Sequence, residues 1–310
     1  MRALLSDRAL VVVTGKGGTG KSTVAAALGI AAARAGRRTL IVETQDRGDV
    51  HRALGGHDDE LAAPLFERRL DAGLSHIAID SDAVLGEYLR DQLPRPVAAV
   101  LARSRAFAAL ASATPGLREL LTIGKIWELA QPDRRTPGAH PYDVVIVDAP
   151  ATGHGLATLT APRTFADAAR GGPVARQAGI IDRFLSDPEL TAVVAVCRPE
   201  ELAISETLEL AAGLTAALPQ QRLAAVVANG MLPQRFSAAD RKQLAAAAPR
   251  SAAVAAASVV AERSRRQREQ LGRLRAGLGR EIAVWTLAHR VTADALGPRE
   301  LGALATELAR

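Results

Sequence analysis

Two lysines stand five residues apart in one glycine-rich run, Gly15-Lys16-Gly17-Gly18-Thr19-Gly20-Lys21-Ser22, with Thr23 behind it. The spacing is that of a phosphate-binding loop. Glycines let the backbone curl so that successive N–H groups face phosphate oxygens. A helix that follows directly adds its free amides and dipole. In such a loop Lys21 neutralises charge on the β- and γ-phosphates of a nucleotide, and the Ser22 hydroxyl ligates Mg²⁺. Of 39 basic residues only Lys16, Lys21, Lys125 and Lys242 are lysines. The loop positions therefore call for an ammonium on a flexible stem, where a guanidinium fork would not serve.

A second run, Asp148-Ala149-Pro150-Ala151-Thr152-Gly153-His154, follows the apolar stretch from Asp143. An acid at the C-terminal end of a buried strand is placed to hold Mg²⁺ through water. The proline and glycine behind it suit a loop that senses the γ-phosphate.

The elements that must position these runs are readable from apolar patterning. Strand-length stretches recur at Ala9–Thr14, Thr39–Glu43, Asp143–Asp148, Thr191–Cys197, Leu223–Ala228 and Ile282–Leu287. They are rich in β-branched residues and mostly unalternated, the mark of parallel strands covered on both faces. The Ala-rich stretch Thr23–Arg34 reads as a helix stopping at Gly36. Strand, loop, helix and strand in repetition predict an α/β fold, a doubly wound and mostly parallel sheet. From about 81 to 130 the strand signal disappears. Val97, Val100, Leu101, Phe107 and Leu110 form one helix-spaced stripe, and Leu117, Leu120, Leu121 and Trp127 another. This segment is expected to be a helical insertion on one domain spanning 1–310.

The glycine run, with lysine directly after its first glycine, resembles the signature-lysine variant of the deviant Walker A family. That family includes ParA, MinD, the nitrogenase iron protein, and the arsenite-pump (ArsA) and tail-anchored-protein-targeting (Get) ATPases. The Thr152-Gly153-His154 run resembles the second switch of the ArsA/Get branch and separates it from ParA and MinD. Pro115-Gly116 with Glu119, and Pro199-Glu200-Glu201 leading into Ile204, Glu206, Thr207 and Leu208, are similar to further stretches of that branch. The likeness runs from about residue 9 to 305. It implies a Mg-ATP-dependent ATPase that dimerises face to face, with Lys16 reaching the partner's nucleotide. It also implies a switch role for Pro150, Thr152, Gly153 and His154, and that Asn229 reads adenine.

One position departs from the branch. Relatives carry an Asp-Pro-Ala-His first switch whose aspartate orients the attacking water; here the register places Gln45 there, with Asp46 or Glu43 as substitutes. A glutamine orients water but takes no proton as a carboxylate does, which predicts slow hydrolysis or dependence on a partner chain. Two alternatives stay open beside the hydrolysing dimeric switch. One is a regulatory subunit paired with a paralogous ATPase; the other is a ParA-like DNA-associated ATPase.

Composition narrows the partners. Apolar residues are 48% and charged residues 23%, an ordinary globular balance. No apolar run reaches the roughly 18–20 residues that span a bilayer, so a cytoplasmic protein without direct membrane insertion is expected. The single cysteine, Cys197, excludes thiolate clusters for arsenite or zinc. The segment Glu262–Arg280 holds seven arginines and two glutamates. It lacks the aromatics that would stack bases, and nucleic-acid binding is not expected of it. The helical insertion corresponds to the client-binding region of the targeting ATPases, which leaves ordinary core packing and a groove for a hydrophobic client or membrane-protein partner both open.

Overall fold

The computed structural model describes residues 2–44, 48–56, 65–104, 113–135, 139–169, 171–247, 251–290 and 296–309. After a short helix α1 (Arg2–Asp7) come strand β1 (Leu10–Gly15), helix α2 (Lys21–Arg34), β2 (Thr39–Glu43) and α3 (Asp49–Ala53). A hairpin follows, β3 (Arg68–Asp71) and β4 (Leu74–Ala78), and then three helices, α4 (Ser81–Gln92), α5 (Arg95–Arg103) and α6 (Leu117–Leu129). The chain returns to the sheet with β5 (Val144–Ala151), followed by α7 (Thr152–Ala168) and α8 (Gly172–Ser186). Next come β6 (Thr191–Cys197), α9 (Glu201–Ala217), β7 (Leu223–Met231), α10 (Ala238–Ala246), α11 (Ala252–Leu278), β8 (Ala283–Ala288) and α12 (Pro298–Leu308).

The sheet order is β3-β4-β2-β5-β1-β6-β7-β8. All pairs are parallel except β3 with β4. This is the doubly wound α/β architecture that the patterning predicts. β1 lies at the topological switch point, between β5 and β6, the position where open α/β sheets bind ligands beyond the carboxyl ends of their strands.

Alternation along β1 explains why its run is continuously apolar. Leu10 and Val12 face one core layer, shared with Ile123, Ile126 and Leu129 of α6 and Leu210 and Leu214 of α9. Val11 and Val13 face the other, shared with Val24 and Leu28 of α2 and Leu301 and Leu304 of α12. Both faces are covered, so each position contributes about 1.5–3 kcal/mol of apolar burial. Cys197 lies in this core, and burial pushes its thiol up to about 11. α2 ends on Arg34 with Ala35 as its C-cap, and Gly36, the predicted stop, follows with φ +84, the left-handed conformation typical of such ends.

The expected helical segment is helical at α4, α5 and α6, but its stripes differ from the predicted ones. Val97 and Val100 are exposed, whereas Ile123, Ile126 and Leu129 are buried under the sheet. The predicted positions 107 and 110 lie outside the described residues. Among the described residues no helix is long and apolar enough to cross a membrane.

Candidate nucleotide-binding site

The glycine run occupies the turn between β1 and α2, at the carboxyl edge of the sheet. At two of its glycines the conformation is left-handed and the space is filled as well. Gly15 has φ +147, and a Cβ there would collide with the Val196 carbonyl of β6. Gly20 has φ +92, and a Cβ there would run into the Asn229 side chain. Both positions are strained for any other residue. At Gly17 and Gly18 an added Cβ would meet nothing within 4 Å, although Gly18, with φ +77, is also in the left-handed region.

Inside the loop the Lys16 carbonyl accepts from Thr19 Oγ1 at 2.8 Å and from Lys21 Nζ at 3.4 Å. Asn229, on β7, donates from Nδ2 to the Thr19 carbonyl at 2.9 Å. The fold thus carries the side chain expected to read adenine onto the loop itself, across 210 residues of sequence. The segment after Asn229 is held from α11. Gln267 accepts from the Leu232 N–H at 2.8 Å and donates to the Gly230 carbonyl at 3.1 Å.

The metal pair of the sequence reading comes together. Ser22 Oγ donates to Asp148 Oδ2 at 2.6 Å, although 126 residues separate them. Parallel pairing of β1 with β5 brings this about, because it sets Val13 opposite Asp148. Asp148 is only 8% exposed, and its Oδ1 is buried with no hydrogen-bond partner among the described residues. Burial pushes the carboxyl up to about 6; the Ser22 bond and Lys21 oppose the rise, while Glu43 and Asp49 add to it. A carboxylate so short of positive charge, with an orphaned oxygen beside a hydroxyl, fits a hard divalent cation. Ser22 and Asp148 would hold Mg²⁺ there. No cluster of three or more His, Cys, Asp or Glu side chains offers a protein cage among the described residues; nucleotide oxygens and water would complete the shell of a Mg²⁺ held there.

Gln45 and Asp46 lie outside the described residues. What flanks them is visible. Thr44 Oγ1 donates to the Asp148 carbonyl at 2.8 Å, tying the end of β2 to that of β5. Glu43 is buried: it bonds His76 Nε2 at 2.9 Å through Oε2 and accepts from the Val50 N–H at 3.2 Å through Oε1. His76 stacks obliquely near His51, with ring centroids 5.2 Å apart. Glu43 is therefore committed to the core and does not face the loop as a substitute water-orienting group. The pairing with His76 escaped the sequence reading because β4 did.

After Asp148, β5 runs on through Pro150 to Ala151, and Thr152, Gly153 and His154 open α7. Gly155, not singled out from sequence, packs so closely on Thr14 and the Pro150 carbonyl that a Cβ would clash. A glycine two residues beyond Gly153 was its only sequence signal.

A glycine loop between the central strand and its helix, facing an acid at the end of the neighbouring strand, defines a P-loop nucleotide-binding protein of the doubly wound class. A family model described as anion-transporting ATPase matches residues 8–170, and the chain belongs to that ArsA/Get family. It is 33% identical over 243 residues to ATPase BagA of Mycobacterium tuberculosis, covering 76% of this chain and 69% of the relative. It is 29% identical to an arsenical pump-driving ATPase of Escherichia coli, covering 73% of this chain and 40% of that protein. It is 26% identical to ATPase get3 of Schizosaccharomyces japonicus, covering 66% and 69%.

Proposed function

We propose that the chain, one domain over 1–310 with a helical insertion near 81–130, is a cytoplasmic Mg-ATP-driven dimeric switch. The observation that carries this reading is the 2.6 Å Ser22–Asp148 contact with its orphaned Asp148 oxygen, beside the glycine loop. Lys21 and the loop amides hold the phosphates, with Gly15, Gly17, Gly18, Thr19, Gly20 and Thr23 shaping the cradle. Ser22 and Asp148 hold the metal, which when bound offsets charge on the β- and γ-phosphates. Gln45 or Asp46 positions water, and Asn229 contacts adenine. Lys16 reaches across to the nucleotide of a second copy or a paralogous ATPase.

The contacts support one route for the coupling. Thr44 is bonded to the Asp148 carbonyl and Asp148 to Ser22, so a change at the phosphates reaches both switches through one strand end. β5 leads on through Pro150 into α7, opened by Thr152, Gly153 and His154. α7 packs on α8 and α6, which passes the change to the helical segment and there to a hydrophobic client or transport partner. The DNA-associated alternative is not favoured: Arg265 and Arg266 of α11 pair with Glu262 and Glu269 of the same helix, and Arg268 and Arg273 bond Ser264 and Ser205.

The test is ATP turnover by the purified chain, with Lys16→Ala as control. Turnover that disappears in the variant supports a self-sufficient dimer. Nucleotide binding without turnover supports the regulatory-subunit alternative that Gln45 raises. Absence of binding rejects the site.

A further inference from the structure

The Lys16 ammonium is engaged within its own chain. It donates to Glu206 Oε1 of α9 at 2.6 Å, across 190 residues. The two side chains are 36% and 29% exposed, so solvent reaches the pair. The backbone of Lys16, by contrast, is held, since its carbonyl accepts from both Thr19 and Lys21. Only the ammonium is left to move, on its flexible stem. Four residues before Glu206, on the same helix face, Leu202 is 63% exposed. The ion pair thus lies beside an uncovered apolar side chain.

A pair about one-third exposed, to one carboxylate, is weak, and a phosphate with several charged acceptor oxygens competes for the same ammonium on better terms. We propose that Glu206 is a positioning residue that holds Lys16 against α9 in the nucleotide-free chain. It releases the ammonium to a phosphate when nucleotide is bound, and so sets the threshold for closure. The release to a partner's nucleotide rests on the dimeric reading above; the hold in the nucleotide-free chain does not. Removing the hold favours whichever state uses Lys16 elsewhere, by about two- to fivefold for a pair of this exposure.

With four lysines in the chain, ¹³C labelling at lysine Cε gives four signals, and Lys16→Arg identifies the one needed. In nucleotide-free protein, Glu206→Gln shifts the Lys16 signal; an unchanged signal overturns the proposal. Adding Mg-ATPγS moves the wild-type signal to the position that Glu206→Gln takes with the same nucleotide; a wild-type signal that stays in place overturns the release. Sedimentation velocity with Mg-ATPγS then separates the two readings. Glu206→Gln self-associates about two- to fivefold more tightly than wild type, and Glu206→Asp returns towards it. Association that is equal or weaker in Glu206→Gln overturns the proposal while leaving the dimer intact. If no variant associates, the homodimer reading falls, and the release is decided by the Lys16 signal alone.

Discussion

At the loop end of the sheet, polar groups meet in pairs and each member comes from a different element: Ser22 with Asp148, Thr44 with the Asp148 carbonyl, Asn229 with the Thr19 carbonyl. Around α4, α6 and α8 the arrangement is different. A cavity of about 210 Å³ is walled by Val84, Leu117, Leu120, Leu121 and Ile181. Beneath it runs a chain of ion pairs from Glu87 through Lys125 and Glu128 to Arg134 and Glu67, and Tyr142 bonds Glu67 at its end. Burial is the first influence on the Tyr142 hydroxyl, which is pushed up to about 12. At the loop end burial outweighs Lys21 and the Asp148 carboxyl rises, whereas at the helical end Lys125 and Arg134 outweigh burial and the Glu128 carboxyl falls. Glu87 Oε2 and Glu128 Oε2, like Asp148 Oδ1, have no hydrogen-bond partner among the described residues. The difference lies in the nearby cations: ion pairs at the second region link the helices around the cavity, whereas the acid of the first is bonded to a hydroxyl. Nucleotide affinity and fold stability should therefore be separable by mutation.

The largest effect is expected in the helical region. Burial alone would raise the Glu128 carboxyl, but Lys125 at 3.0 Å, the Arg135 N–H and Arg134 hold it below its ordinary 4.5. Glu128 is 3% exposed. Removing its nearest cation in Lys125→Met should cost about 3–5 kcal/mol of stability, with Mg-ATP affinity unchanged. The pH dependence has a definite sign. In the wild type the stability supplied by Glu128 is present above pH 4.5 and is lost as pH falls through its lower folded value. In Lys125→Met the carboxyl rises, so the variant's deficit shrinks as pH falls from 7.5 to 5. Urea unfolding at the two values checks both statements, and a deficit that stays constant would break the contrast.

Next comes Lys21→Ala. Loss of a charge-assisted contact to phosphate should weaken Mg-ATP binding by about 100-fold, while the urea midpoint stays within error. Titration calorimetry measures the first and unfolding the second. A variant that loses stability in place of affinity would mean that the loop is structural. Asp148→Asn should cost about tenfold in Mg²⁺ dependence of nucleotide binding. It should leave the nucleotide-free protein no less stable, because a buried carboxyl already raised to about 6 becomes neutral. The smallest effect belongs to Asn229→Ala, about 1 kcal/mol in nucleotide affinity, since it removes the Thr19 tie without removing charge.

Much of the site was legible because it is local in sequence. The run Gly15–Ser22 carries its own geometry, and Thr39–Glu43 and Thr191–Cys197 match β2 and β6 residue for residue, because a strand buried on both faces leaves an unbroken apolar signature. The hairpin β3–β4 left no such trace. Its outer strand Arg68–Asp71 is four residues long and polar, as suits an edge that pairs on one side only. Ile123, Ile126 and Leu129 were passed over for Leu117, Leu120, Leu121 and Trp127 because the helix packs on two sides. Ile123, Ile126 and Leu129 are buried in the core, Leu117, Leu120 and Leu121 line the cavity, and Trp127 packs on the core's margin; apolar spacing does not say which is which.

What the sequence determined by itself, then, is the class of chemistry: glycines, two ammonium groups and a hydroxyl at P-loop spacing, followed by an acid at a strand end. Tertiary structure decided with whom these groups pair. Register between β1 and β5 brings Asp148 to Ser22 and leaves one of its oxygens without a donor. The passage from β6 into α9 brings Glu206 to Lys16, and β4 beside β2 turns Glu43 inward to His76. Such pairs join residues 33 to 190 positions apart, and no local spacing encodes them. They follow from which strands lie side by side, which is set by burying two faces of one sheet at once.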